Sequence, residues 1–256
     1  MMNRKNIPLG VIALLLFVAT VKSATTAIKK YKPGEKGVLV AALPCPHPKT
    51  YNDSIASFNS QPVITGRIIF LGNSITQRGK WPEYFHDPTI INRGIGGDAT
   101  CGILDRLDDV IKRKPSKLFI LIGINDMQNQ LNKGATKVDT GSILQNYRAI
   151  LQRLRTETPD TKIHVESLLP TNAQKRLNWN KGKPVAFSEA LNAGVRMLNP
   201  ALKKVAEGYG CTWVNLYDWF KDGNNELIEN YTDDGIHPNE AGYKHFVAYL
   251  KCKSYL

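Results

Sequence analysis

The chain has 256 residues, of which 42% are hydrophobic and 22% are charged, so it can form one large α/β domain with a well-buried core. Its formal net charge is +12, but the Lys and Arg residues are scattered, which predicts a solvated basic surface rather than a nucleic-acid partner and leaves room for mild attraction to acidic sugars. Four cysteines are too few for a disulfide scaffold and lack the spacing of a zinc site.

The N-terminus predicts a signal peptide over residues 1–23. A short basic segment precedes an apolar run of 15 residues, Ile7–Val21, which is too short for a comfortable membrane span. A small-residue cleavage site follows at Ser23, and no cysteine comes next that would carry a lipoprotein anchor. We therefore expect a secreted or periplasmic protein with no stable membrane anchor after cleavage; the alternative is an uncleaved anchor.

Residues 24–65 predict an extended N-terminal arm. The segment is rich in Pro, Lys and small polar residues, and "LPCPHP" cannot form regular structure because proline removes backbone donors and restricts its neighbours. A short helix is expected near Tyr51–Phe58. The remainder, residues 66–256, is predicted to be one domain, since no internal repeat and no second boundary is visible.

From residue 67 onwards, apolar runs alternate with amphipathic segments. The runs predict five strands, at Arg67–Leu71, Thr89–Asn92, Lys117–Ile124, Lys162–Leu169 and Thr212–Tyr217. Strands that are apolar on both faces are typical of a parallel sheet covered on both sides. Helical spacing predicts helices over residues 100–114, 142–155, 188–207 and 239–251, with Asn199-Pro200 kinking the third or starting a new helix. This alternation predicts a doubly wound α/β sheet.

Residues able to carry chemistry follow four of these strands. They are Ser74 after the first strand, Gly97 in a glycine-rich loop after the second, Asn125 after the third, and Asp234 with His237 after the fifth. Parallel strands bring their carboxyl ends to one edge of the sheet, where ligands bind. We therefore predict that these residues form one site.

Ser74, His237 and Asp234 have the residue types of a nucleophile, a general base and an orienting acid. The backbone N–H groups of Ser74 and Gly97, with the side-chain amide of Asn125, are candidate oxyanion donors. Each residue also has a structural interpretation alone: Ser74 as a helix N-cap, and His237 as part of a turn. Found together on one edge, they favour catalysis, and neighbouring Asp233 is interpreted as solvated.

Four blocks of this sequence resemble the SGNH, or GDSL, hydrolases. "FLGNSIT" matches the nucleophile block, "NRGIGGDAT" the glycine block, "IGIND" the asparagine block, and "DDGIHPN" the Asp-x-x-His block. The resemblance covers nearly the whole chain from residue 66, and one departure is Asn73, where many members have Asp. It is strongest towards the small-acyl branch, which includes proteins similar to platelet-activating-factor acetylhydrolase and sialate or carbohydrate O-acetylesterases.

The resemblance implies a flavodoxin-like three-layer α/β/α sandwich with a five-stranded parallel sheet of order 2-1-3-4-5. It also implies ester hydrolysis without a metal or other cofactor. We expect an exported serine esterase that removes a small acyl group, with acetyl as the expected group, from a carbohydrate or another small molecule. Trp81 and Trp179 are candidate substrate-lining residues. The alternatives are a lysophospholipase or thioesterase for longer acyl chains, and a catalytically inactive carbohydrate-binding protein.

A disulfide between Cys211 and Cys252 is a further prediction. Cys211 precedes the fifth strand, so it lies at the sheet edge opposite the site. The last helix starts beside His237 and runs back for about 20 Å at 1.5 Å per residue, which carries Cys252 to the same end. Cys101, which starts the helix after the glycine loop, is expected to remain a thiol. The alternative is that all four cysteines are reduced.

Overall fold

Five strands rich in apolar residues form the centre of the protein. The computed structural model describes residues 45–179 and 182–256. The strands are β1 (Ile68–Gly72), β2 (Ile91–Gly94), β3 (Lys117–Leu121), β4 (Lys162–Glu166) and β5 (Thr212–Val214). They make one parallel sheet in the order β2-β1-β3-β4-β5, which confirms the predicted topology.

Helices connect the strands and cover the sheet. The α-helices are α1 (Tyr51–Ser60), α2 (Ser74–Arg78), α3 (Trp81–Phe85), α4 (Thr100–Asp105), α5 (Leu107–Ile111), α6 (Ile124–Asn132), α7 (Gly141–Glu157), α8 (Ala173–Asn178), α9 (Val185–Gly208), α10 (Leu216–Phe220) and α11 (Glu240–Cys252). A short 3₁₀-helix spans Glu229–Tyr231. The predicted helix near Tyr51–Phe58 is therefore present as α1, and the described residues from Pro46 to Leu256 form one unit.

The two faces of the sheet bury separate apolar clusters. One face packs Ile69, Leu118 and their neighbours against α4, α5, α7 and α9. The other packs Phe70 and Phe119 against α3, α10 and α11. Alternate strand residues point to opposite faces, so a continuous apolar run supplies both clusters at once. The result is the three-layer α/β/α arrangement that the sequence predicts.

Side-chain hydrogen bonds end some elements earlier than the apolar pattern predicts. Strand β4 stops at Glu166 because the backbone of Leu168 pairs with the Asn199 side chain, at 2.9 and 3.0 Å, instead of continuing the ladder. The helix expected over residues 100–114 is divided into α4 and α5 at Arg106, whose guanidinium pairs with buried Asp98. Helix α9, in contrast, continues through Pro200.

The predicted cysteine pairing is wrong. Cys211 and Cys252 are free, whereas Cys45 and Cys101 are disulfide-bonded, so Cys101 is not the thiol that was expected. Helix length determines how far along the strands Cys252 lies, but not on which face of the sheet it lies. Cys211 belongs to the apolar cluster on one face of the sheet, while Cys252 ends α11, which packs on the other face.

The predicted signal peptide and residues 24–44 of the predicted arm lie outside the described residues, and the domain boundary at residue 66 stays a prediction. Helix α1 contacts the rest of the Pro46–Leu256 unit through Tyr51, whose hydroxyl donates a 2.9 Å hydrogen bond to the carbonyl of Gly102. Within the part of the chain that the structure describes, no helix is both long and apolar enough to span a membrane.

Candidate active site

The turn after β1 places Ser74 at the sheet edge. Strand β1 ends at Gly72, where any Cβ would collide with the carbonyl oxygen of Leu121 and the hydroxyl of Thr76. Asn73 then caps α2: its Oδ1 accepts a 3.0 Å hydrogen bond from the backbone N–H of Ile75. Its Nδ2 is buried and has no partner among the described residues. Asn73, and not Ser74, is therefore the N-cap; Ser74 is the first residue of α2, and its hydroxyl faces another element.

That other element is the loop before α11. Ser74 Oγ lies 2.8 Å from Nε2 of His237, and Nδ1 of the same ring lies 2.6 Å from Oδ2 of Asp234. The structure therefore brings together three residues that are far apart in the sequence. Neighbouring Asp233 is turned elsewhere, where its Oδ1 accepts a 3.1 Å hydrogen bond from Asn239.

Asp234 is held in its ionised form by its neighbours. Its partial burial raises the pKa, but the hydrogen bond from His237 and those from the backbone N–H groups of Ile236 and His237 outweigh this effect. The pKa of the carboxyl is consequently well below its ordinary value. Arg78 adds a positive charge 3.6 Å from Asp234 Oδ2.

Three donors surround the space in front of Ser74. Among the described residues, the backbone N–H groups of Ser74 and Gly97 have no protein acceptor. Gly97 has φ +80°, a backbone conformation that glycine adopts without strain. Nδ2 of Asn125 donates one hydrogen to the carbonyl of Asp98 at 2.8 Å, which leaves its second hydrogen for another acceptor.

Buried ion pairs and hydrogen bonds hold the glycine loop in position. Asp98 pairs with Arg106 at 2.9 Å, and Arg106 also donates to the carbonyl of Gly72, just before the nucleophile turn. Asp126 accepts hydrogen bonds from the backbone N–H and the hydroxyl of Thr100. Burial raises the pKa of Asp126 to about 6. These contacts connect the loops after β1, β2 and β3 to one another.

An open cleft of about 490 Å³ contains all the predicted residues except one tryptophan. Its described lining is Ser74, Gln77, Arg78, Gly96, Gly97, Asn125, Gln128, Arg176, Trp179, Gly182, Lys183, Asp234, Ile236 and His237. The volume is in the range of small-molecule sites. Among the lining side chains, Asp234 and His237 are the types that commonly bind metals, and they bind each other.

The two candidate tryptophans have different positions. Trp179 lines the cleft and is 52% exposed. Trp81, in contrast, is 1% exposed and stacks on Phe70 with ring centroids 4.2 Å apart, so its predicted substrate-lining position is wrong. Its indole packs over Gly79, where a Cβ would collide with the ring, and its Nε1 donates to the carbonyl of Thr76 at 2.9 Å.

Sequence reasoning did not identify the cationic residues of the cleft individually. Arg78 lies four residues after Ser74 on α2, a spacing that places it one helical turn away. Arg176 and Lys183 come from the segment "TNAQKRLNWNKGKP", whose polar and basic character was the available signal.

The chain is similar to known proteins in sequence and in fold. The model of the GDSL-like Lipase/Acylhydrolase family matches residues 70–245. The chain belongs to this family. Platelet-activating factor acetylhydrolase IB subunit alpha2 of Homo sapiens is 31% identical to this GDSL-family chain over 109 residues, which are 40% of the chain and 44% of that protein. The aligned region thus spans less than half the length of the curated relatives, and the rat protein matches equally.

Solved structures extend the similarity over most of the GDSL-family domain. A GDSL-like lipase from Bacteroides thetaiotaomicron is 25% identical, with a TM-score of 0.64 that covers 80% of this chain and 98% of that one. The acetyl xylan esterase AlAXEase shares the fold, with 20% identity and a TM-score of 0.56 over 73% of this chain and 98% of that one.

Proposed function

We propose that this GDSL-family chain is a serine esterase that hydrolyses carboxylic esters of small acyl groups. One observation carries the proposal: the Ser74 hydroxyl, the His237 ring and the Asp234 carboxylate are connected by hydrogen bonds of 2.8 and 2.6 Å inside an open cleft. A hydroxyl needs a positioned base to act as a nucleophile, and an imidazole needs a carboxylate to hold its tautomer.

In the proposed first step, Ser74 Oγ attacks the ester carbonyl while its proton moves to Nε2 of His237. This transfer needs the tautomer that carries a proton on Nδ1, which the hydrogen bond to Asp234 stabilises. Asp234 keeps its negative charge throughout and stabilises the imidazolium. Its low pKa supports that role, because the carboxyl stays ionised over the whole neutral range.

The negative charge of the tetrahedral intermediate needs hydrogen-bond donors. The N–H groups of Ser74 and Gly97 and the second hydrogen of Asn125 Nδ2 are the donors that we assign to it. The intermediate collapses when His237 returns its proton to the leaving alcohol, which leaves an acyl group on Ser74. Water then attacks this ester with the same base, and the carboxylic acid is released.

The cleft lining favours a small acyl group on a polar alcohol. Trp179 and Ile236 are its large apolar members among the described residues, so they do not form the long apolar groove that a lysophospholipase or thioesterase would need. Carbohydrate esters, acetates above all, are the substrates we propose, and exposed Trp179 is available to stack on a sugar ring. The disulfide-bonded cysteines support export, since such bonds persist in oxidising compartments.

Hydrolysis of 4-nitrophenyl acetate and 4-nitrophenyl octanoate tests the proposal. We expect turnover of the acetate, a lower kcat/KM for the octanoate, and loss of at least about a thousandfold in kcat for Ser74→Ala. Ser142→Ala is the matched control, because Ser142 is an exposed serine of α7 outside the cleft. Equal rates for Ser74→Ala and Ser142→Ala would refute the nucleophile and leave the inactive carbohydrate-binding protein as the better interpretation.

A further inference from the structure

Arg176 is a buried cation without a carboxylate partner. It is 6% exposed, yet it lines the cleft. Within the described residues, its guanidinium makes one hydrogen bond, from Nη2 to Oε1 of Gln128 at 3.0 Å, and its buried Nε has no partner. A guanidinium has five N–H donors. Burying donors that lack acceptors costs free energy unless a ligand supplies the acceptors. Burial accordingly lowers the pKa of Arg176, which the charge of Asp234 partly offsets.

Two more cations line the same cleft. Lys183 donates to Oδ1 of Asn132 at 2.7 Å and has no carboxylate within 4 Å among the described residues. Arg78 is half exposed and lies 3.6 Å from Asp234, the one acidic side chain of the described lining. Since Asp234 is already occupied by His237, the cleft has an excess of positive charge.

Arg176 packs against the loop that supplies the general base, and this position brings it near the leaving alcohol. Its backbone and Cγ pack against Gly235, where an added Cβ would lie 2.6 Å from Cγ and 2.7 Å from the backbone nitrogen. Gly235 lies between Asp234 and His237 in the loop that supplies the general base. The alcohol receives its proton from His237, so the alcohol departs on this side of the cleft.

We infer that the esterase prefers esters whose alcohol portion carries an anionic oxygen group, a carboxylate or a phosphate, and that Arg176 binds this group with help from Lys183. This inference rests on the proposed function. A guanidinium matches the oxygen atoms of either group through two parallel hydrogen bonds, and such charge-assisted bonds are stronger than neutral ones. The anion would take the donors of Arg176 that the protein leaves unpaired.

Matched acetate esters test the inference. The probes are 4-acetoxybenzoate, 4-acetoxyphenyl phosphate and the neutral 4-acetoxybenzamide, which differ in the group opposite the acetyl ester. The readout is the ratio of kcat/KM for each anionic ester to that for the neutral ester at low ionic strength. We expect a ratio of about 10 or more for the wild-type protein, and the two anionic probes distinguish carboxylate from phosphate.

Three substitutions identify which residues cause the preference for anionic esters. Arg176→Gln should lower the ratio by about 10-fold or more, to a value near 1, because the charged hydrogen bonds to the anion are lost. Lys183→Gln, at a partly exposed position that is less critical for folding, should lower it by about 2- to 5-fold. The control Arg148→Gln removes the same charge from an exposed position of α7 outside the cleft and should leave the ratio within about twofold. Thermal melting confirms that each variant is folded.

A binding measurement separates the inference from the proposed function. Calorimetry of the Ser74→Ala protein with 4-acetamidobenzoate and 4-acetamidobenzamide reports anion binding without turnover. Tighter binding of the benzoate that Arg176→Gln abolishes supports the anion site even if no ester is hydrolysed, in which case only the proposed function fails. Wild-type turnover with no anionic preference, or an equal effect of Arg148→Gln and Arg176→Gln, overturns the anion site alone.

Discussion

Two carboxyl groups of this protein, the partly buried Asp234 in the loop before α11 and the fully buried Glu166 at the end of β4, have opposite properties. Asp234 accepts hydrogen bonds from His237 Nδ1 and from two backbone N–H groups, and its pKa is well below the ordinary value. Glu166 is 2% exposed, and its Oε1 has no partner among the described residues. Burial alone raises the pKa of Glu166 to about 8.

The comparison teaches that hydrogen-bond partners and depth of burial, rather than the carboxyl group itself, decide the protonation state. At neutral pH, Asp234 is a carboxylate that can stabilise an imidazolium, whereas Glu166 is mainly a neutral acid. Asp234 is therefore positioned to take part in catalysis, whereas the burial of Glu166 lowers the stability of the fold. Substitutions of Asp234, of Glu166 and of polar residues near Asp234 test this difference between the two carboxyl groups.

The largest expected effect comes from Asp234→Asn. The amide keeps the shape but removes the charge that stabilises the imidazolium and favours the wrong ring tautomer, so kcat should fall by about 10³- to 10⁴-fold. Asp233→Asn is the matched control one residue earlier, where the carboxylate contacts Asn239 instead of His237. Kinetics on 4-nitrophenyl acetate measure both, and a larger loss for Asp233→Asn would assign the acid role to that residue.

Asn125→Ala removes a donor from the same reactive region rather than the acid. We expect kcat to fall by about 10²- to 10³-fold with KM little changed, because the donor acts mainly in the transition state. Asn129→Ala, one turn further along α6 and outside the cleft, is the control. A rise confined to KM would mean that Asn125 binds the substrate and does not stabilise the oxyanion.

Glu166→Gln should increase stability, and the increase should depend on pH. Below the ordinary pKa of 4.5, folded and unfolded chains both carry the proton, so ionisation of Glu166 has no effect. Between 4.5 and about 8, the unfolded chain loses the proton while the folded chain keeps it, so wild-type stability falls as the pH rises. Above about 8 the penalty is constant.

Denaturant unfolding at pH 4.5 and pH 8.5 measures this effect. The free energy of unfolding of Glu166→Gln relative to the wild type should increase by up to about 4 kcal/mol between these pH values. Glu189→Gln, an exposed position on α9, is the control and should show no such trend. A flat difference for Glu166→Gln would mean that this carboxyl finds a partner in solution.

Arg78→Gln should have the smallest effect. The arginine is half exposed and lies 3.6 Å from Asp234, so solvent and salt screen the pair, and we expect kcat/KM on 4-nitrophenyl acetate to fall by about 2- to 5-fold. Lys80→Gln removes a nearby exposed charge whose partner is Glu83. If Arg78→Gln approached the effect of Asp234→Asn, the arginine and not the His237 hydrogen bond would be maintaining the carboxylate.

Much of the fold and the site follows from local patterns. Apolar runs locate all five strands, although β3, β4 and β5 end earlier than the apolar pattern predicts. After β4 the Asn199 side chain takes over the backbone hydrogen bonds of Leu168, and after β5 the chain starts α10 at Leu216. Ser74 and Asn125 are recognisable because each lies just after a strand at the start of a helix, and His237 because it lies in the loop just before α11. The resemblance to the family gives the strand order. Such features depend on a few neighbouring residues, which the sequence displays directly.

The tertiary structure alone decided which side chains meet across elements. From the sequence, Trp81 and Trp179 are equal candidates for the substrate lining. Trp81 belongs to the aromatic cluster around Phe70, whereas Trp179 faces the cleft. Cys211 and Cys252 lie at the ends of their elements that the sequence predicts, but their elements pack on opposite faces of the sheet, which the sequence does not show. Arg176 belongs to the site only because Gly235 allows close packing. The burial of a side chain, its bonding partners and its pKa each depend on contacts between segments that are distant in the sequence. Residue spacing within one segment therefore cannot predict them.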